Sequence, residues 1–146
     1  MEPHWNDVVE LFEVLSYIVK RTDRDGIELL FTGTSEVYKE KHTSKLIKKV
    51  RSMPREGKAD MKTTLSRVLS QESLQWSQTR TSVYVFTDGI WESQTDCRKP
   101  IKDVVAKLEQ RGKPTDHLGL QFISFGTDAV GLDRLRSLDE EDSLPR

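Results

Sequence analysis

The run Val83-Tyr84-Val85-Phe86-Thr87, followed at once by Asp88-Gly89, constrains this chain more than any other stretch. An unbroken succession of β-branched and aromatic residues without a charge describes a strand buried on both faces, the habit of parallel strands in α/β folds. The strand stops at a carboxylate and a glycine, and the carboxyl ends of such strands are where α/β proteins keep their ligands. Asp88 is therefore the leading candidate for chemistry, with Thr87 and Gly89 beside it.

The rest of the chain alternates around that strand. Trp5, Val8, Val9, Phe12, Leu15 and Val19 recur at helical spacing with Pro3 suited to the first turn, so residues 3–21 read as an amphipathic helix closed by the Asp23-Arg24-Asp25-Gly26 turn. Ile27 to Thr32 has strand length, and Val37-Tyr38 follows as a short edge strand after Gly33-Thr34-Ser35. A second helix spans 44–53, with Leu46, Ile47 and Val50 on one face and Pro54 behind it. Asp60 is a good N-cap for a third, whose stripe is Met61, Leu65, Val68 and Leu69. After a polar loop over 71–81 comes the Val83 strand, then a loop carrying Cys97. Pro100 opens a helix with Ile101, Val104, Val105 and Leu108 on one face and Gly112 as its stop. Leu118 to Phe125 is a third clear strand, and Asp128 caps a last helix bearing Leu132, Leu135 and Leu138. This order is that of an α/β sandwich.

Charge argues against two partner classes. The chain carries 23 basic and 24 acidic side chains for a net charge of −1, which gives no reason to expect nucleic acid or a membrane surface. Lys39, Lys41, Lys45, Lys48, Lys49, Arg51, Arg55 and Lys58 crowd one segment, but no aromatic residue interleaves them between Thr43 and Lys58 as base stacking requires, so they read as a solvated face. No apolar stretch reaches the roughly 18–20 residues that span a bilayer, and the single cysteine excludes an internal disulfide. These features lead to an expectation of a cytoplasmic protein.

At a strand end, Asp88 could hold a hard divalent cation such as Mg²⁺, or it could simply shape the turn that follows. Here the residues resemble a family. Phe86-Thr87-Asp88-Gly89-Ile90-Trp91 resembles the Thr-Asp-Gly motif of von Willebrand factor type A domains, in particular the intracellular variety common in fungal proteins. Trp5-Asn6-Asp7-Val8-Val9 resembles the family's first helix and Asp25-Gly26-Ile27-Glu28-Leu29-Leu30-Phe31 the strand after it. Gly57-Lys58-Ala59-Asp60-Met61 resembles the turn before a later helix, and Leu120-Gln121-Phe122-Ile123-Ser124-Phe125-Gly126 a later strand.

The resemblance implies an incomplete Rossmann-like three-layer sandwich over residues 1–138, with a mostly parallel sheet, followed by a frayed acidic tail over 139–146. It also implies what is missing. The family holds one Mg²⁺ ion with an Asp-x-Ser-x-Ser segment after its first strand, a threonine in a second loop and the aspartate of Thr-Asp-Gly. Only the last carries over, to Asp88. The first central strand and its serines are absent, as is the last strand, and Ala59 stands where the threonine belongs, with Thr63 and Thr64 a turn further on. The metal site is thus expected to be vestigial, with no cofactor bound. Loss of the central strand leaves three outcomes open: the Ile27 and Val83 strands close on each other, another chain donates a strand, or the fold is marginal.

An enzyme reading finds few parts. Cys97 lies in a loop beside Arg98 and Lys99, and His4, His42 and His117 lack metal-ligand spacing, with His42 and His117 expected in solvent. Trp76 stands apart in the polar loop, and Trp91 suits either an aromatic anchor for a partner or packing over its own loop. The reading that results is a non-enzymatic protein-interaction module or its remnant, with an unidentified protein partner. Two others stay open: a cut-down form of a longer metal-dependent interaction protein, and a small hydrolase using Asp88 with a metal.

Overall fold

The structure is a computed structural model that describes residues 1–22, 26–53, 60–71, 74, 77–92, 97–114 and 116–140. The chain divides into two units, Met1–Lys58 and Ala59–Arg146, each built of helices and a two-stranded sheet, so the class is α/β.

In the first unit, α1 (Trp5–Val19) grows from a 3-10 turn at Glu2–His4 that contains Pro3. Its buried stripe is Val8, Val9, Phe12 and Ser16, and the Ser16 hydroxyl avoids an unpaired burial by donating to the Glu13 carbonyl at 2.9 Å. Strands β1 (Ile27–Leu30) and β2 (Val37–Glu40) form an antiparallel pair in the register Ile27↔Glu40 to Leu30↔Val37. That register sets Glu28 opposite Lys39, whose ammonium reaches the carboxylate at 2.8 Å. Helix α2 (Thr43–Ser52) buries Thr43, Leu46, Ile47 and Val50 and packs on α1.

Part of the basic segment is paired where it stands, beyond the Lys39 contact. Lys45 meets Glu40 at 3.3 Å, Arg51 meets Glu13 at 3.1 Å, and the Lys49 ammonium lies 3.8 Å from the centre of the Tyr38 ring. Glu40 sits at the entry to α2, where the His42 N–H above all holds its carboxyl below the usual range; burial opposes this, and Lys45 and the Lys41 N–H add to it.

In the second unit, α3 (Met61–Leu69) begins at Asp60, whose Oδ1 accepts the Thr63 N–H at 2.9 Å. Strand β3 (Thr81–Thr87) is followed by α4 (Arg98–Gln110), and the chain returns in β4 (Leu118–Ser124), parallel to β3 from Thr81↔Leu118 to Thr87↔Ser124. This is a βαβ unit. Helix α4 stops as its glycine implies: Gly112 takes φ +64°, its N–H donates to the Glu109 carbonyl at 2.9 Å, and the Lys113 N–H reaches Leu108 at 3.0 Å. Helix α5 (Ala129–Asp139) ends the described chain and keeps Asp139 helical; residues 141–146 of the expected tail lie outside the described residues.

The core of this unit is made by Met61, Leu65 and Leu69 of α3 with Ile101, Val104 and Leu108 of α4, joined by Leu74, Trp91 and Cys97. Val83 and Val85 of β3, Leu118, Leu120 and Phe122 of β4, and Leu135 and Leu138 of α5 pack against it. Alternate residues of both strands thus face the helices, as the two-residue period requires.

Two pairs are described: β1 is hydrogen-bonded to β2 in the first unit, and β3 to β4 in the second. Each pair is joined by the nearest strand in sequence, by a hairpin in one unit and a helical crossover in the other, where loop closure is least costly. Among the described residues no helix is long and apolar enough to cross a membrane.

The cap at Asp60 makes a testable point. Hydrogen bonds from Thr63 hold its carboxyl below the ordinary value of 3.8, with burial opposing and Lys62 adding a smaller pull. A group depressed in the folded state stabilises above its unfolded pKa and loses that contribution as the pH falls through the folded one. Unfolding stability followed in urea from pH 7 downward should therefore drop more for the wild type than for Asp60→Asn, starting just above 3.8. Parallel curves for the two proteins would contradict it.

Candidate functional site

Strand β3 delivers Thr87, Asp88 and Gly89 to the edge of the parallel pair, and the Phe125 N–H continues the ladder by donating to the Thr87 carbonyl at 2.8 Å. Thr87 is buried, and its Oγ1 accepts the Gly89 N–H at 3.0 Å. Asp88 is half-buried, and its Oδ1 accepts the Ile90 N–H at 3.0 Å. Both side chains therefore fold back onto the turn that contains them, the short-range bonding by which Asp and Thr set local chain direction.

Helix α5 closes over this turn. Its N-cap, Asp128, accepts the N–H groups of Val130 and Gly131 at 2.9 and 3.1 Å. Gly131 then lies so near the turn that a Cβ there would overlap the Asp88 carbonyl oxygen, and a Cβ on Gly89, at φ +74°, would overlap the Gly131 backbone. One turn further along, the Arg134 guanidinium donates to the Trp91 carbonyl at 2.7 Å and the Gly89 carbonyl at 3.3 Å, with its centre 5.7 Å from the middle of the Trp91 ring. One helix thus holds the turn at Asp88, Gly89 and Trp91.

Gly131 and Arg134 escape a reading of the sequence. A signal for the first exists, since a glycine inside a helical pattern costs about 1 kcal/mol against alanine and usually has a packing reason. For Arg134 there is none, because carbonyl oxygens as partners leave no trace in residue identity.

The remaining candidates separate. His4 belongs to the first unit at the 3-10 turn, and His42 is exposed at the start of α2, as expected. His117 is not in solvent. It is 3% exposed, since the ladder starts one residue before the strand proper, where its carbonyl takes the Thr81 N–H at 2.9 Å, and its buried Nε2 has no hydrogen-bond partner among the described residues. Cys97 is likewise no surface thiol: it is 2% exposed at the N-cap of α4, inside the core, where a cysteine packs as a small apolar side chain. Trp91 is buried at 9% and belongs to the core cluster built by α3 and α4, which removes it as an exposed anchor. Trp76, and Gly57 to Ala59 of the loop matched to the metal threonine, lie outside the described residues. Thr63 is exposed, and the Thr64 hydroxyl donates to the Asp60 carbonyl at 2.9 Å within α3.

The donor set around Asp88 does not fit a Mg²⁺ ion. Such an ion takes near-octahedral oxygen coordination, whereas here one carboxylate and one hydroxyl each hold a backbone N–H of the same turn. Among the described residues no three His, Cys, Asp or Glu side chains are grouped so that they could hold a metal. In comparisons with protein-family models, curated proteins and solved structures nothing matches this chain, and the site stands on its own geometry.

Proposed function

We propose that the chain is a non-enzymatic protein-interaction module of the von Willebrand A-like kind, an incomplete three-layer sandwich in which Asp88 is a vestige of the metal site. The observation that carries this reading is the closed turn at Asp88, where Thr87 and Asp88 serve the backbone and α5 locks the loop from above. A turn organised in this way positions a surface without an ion.

The sheet pattern supports the same reading. The family's sheet, without its first central strand, leaves an antiparallel edge pair and a parallel pair, which are the pairings of β1 with β2 and of β3 with β4. Beside the turn, Ile90 and Val130 are exposed at 45% and 57%, apolar contacts available to a protein partner on the same edge as Asp88.

The test is calorimetric. Titration of the purified chain with MgCl₂ and MnCl₂ is expected to show no saturable binding in the micromolar range, and EDTA is expected to leave its melting temperature unchanged. A one-site isotherm abolished by Asp88→Ala would overturn the reading in favour of a working metal-dependent site.

A further inference from the structure

Among the described residues strand β3 has a strand neighbour on one side only. Which peptide groups this leaves over follows from the register. In a parallel ladder a given residue turns both its N–H and its C=O to the same neighbour, and the next residue turns both the other way. Thr81 donates to His117 and Thr87 accepts from Phe125, so the peptide groups of Thr81, Val83, Val85 and Thr87 face β4. Those of Ser82, Tyr84 and Phe86 face the opposite edge, where Ser82 and Tyr84 have no partner among the described residues. Both side chains are exposed, Tyr84 at 39%.

Edge strands in folded proteins are normally defended by lysine, proline, a bulge or a covering segment. Residues 81–87 contain no charge, no proline and no glycine.

We propose that this edge pairs with the same edge of a second copy of the chain, antiparallel about a two-fold axis at Val83, to make one four-stranded sheet in the order β4-β3-β3-β4. The strand reads against itself in this register. Ser82 of one copy and Tyr84 of the other exchange both peptide hydrogen bonds, and the two-fold repeats the exchange. Val83 lies opposite Val83 and Thr81 opposite Val85, so every pair on the helix-covered face is made of β-branched residues and no like charges meet. A heterologous strand would need to match this pattern by chance, whereas a second copy matches it by symmetry. The pairing is isologous and uses up the β3 edge, so it closes at two copies.

Sedimentation velocity across a micromolar concentration series tests it, with amide hydrogen exchange read on the same samples. A concentration-dependent dimer is expected in which the Ser82 and Tyr84 amides slow as the dimer fraction rises. Tyr84→Pro removes an outward N–H while sparing the ladder to β4, and should weaken association about 10–100-fold, as the loss of one hydrogen bond from each symmetric half implies. Should that variant fail to fold by circular dichroism, the exchange rates of the wild-type chain decide alone. A chain that stays monomeric, a dimer in which the Tyr84 amide stays fast, or assemblies that keep growing with concentration would each overturn the proposal. So would a Tyr84 amide slowed equally at every concentration, which would assign the edge to a segment of the same chain. Magnesium has no part in the pairing, so this test and the calorimetric one fail independently.

Discussion

Leu69→Ala is expected to lower the unfolding free energy by about 2–5 kcal/mol, the range for truncating a leucine in a packed core. Leu69 is 1% exposed and belongs to the cluster formed by α3 and α4, with Leu65 one turn before it at 2%. Two effects add: the transfer free energy of the lost methyl groups, and the cavity left between helices that relax only in part. Helix propensity acts in the other direction but amounts to a few tenths of a kcal/mol between leucine and alanine, so the core loss wins. Against a usual total of about 5–15 kcal/mol this is a large fraction. Urea unfolding checks it, through a lower midpoint at unchanged m-value. Leu132→Ala, at a site 39% exposed on α5, serves as the control and should shift stability by less than about 0.5 kcal/mol. Equal effects at the two sites would mean that the α3–α4 core is not the seat of the unit's stability.

Gly131→Ala sets two physical effects against each other. By helix propensity alone the change should stabilise by about 1 kcal/mol, since glycine in a helix is costly. The added Cβ, however, would overlap the Asp88 carbonyl oxygen, and that atom follows directly on Thr87, whose carbonyl is held by the Phe125 N–H at the end of the ladder. A flexible side chain could swing aside at little cost; a pinned carbonyl cannot. Overpacking of this kind costs typically about 1–3 kcal/mol and occasionally more, so a net loss of about 1–2 kcal/mol is expected. A second readout gives the structural cause. If α5 is pushed off the turn, the Arg134 contacts to Trp91 are lost, and the Trp91 indole should report a more exposed emission in the folded baseline. A variant that gains stability with unchanged emission would show that α5 does not rest on Asp88.

Most elements of the fold were legible because their signals are local. Buried positions on α1, α2, α3 and α4 repeat at helical spacing, Asp60 and Asp128 cap through their own side chains, and Gly112 ends a helix within a few residues. What was not legible depends on distant parts of the chain. The pairing of strands follows from which neighbours are present, and alternation alone does not say that β1 will pair with β2 by a hairpin and β3 with β4 through a helical crossover. His117 and Cys97 sit in polar sequence surroundings, yet the ladder starting at His117 and the core beneath α4 bury them. Asp88 was placed correctly at a strand end, but its enclosure by Gly131 and Arg134 comes from a helix whose pattern shows only apolar and capping residues.

The grip of Arg134 on Gly89 also orders events in time. The two residues are 45 positions apart. At a synthesis rate of about 5–20 residues per second, the ribosome adds Arg134 roughly 2–9 s after the turn it clasps. Helix α4 and strand β4 are added within that interval, and the lock comes only after both. The turn at Asp88 is therefore begun early and finished last, and its maturation, unlike that of the β1–β2 hairpin, waits on the far end of the second unit.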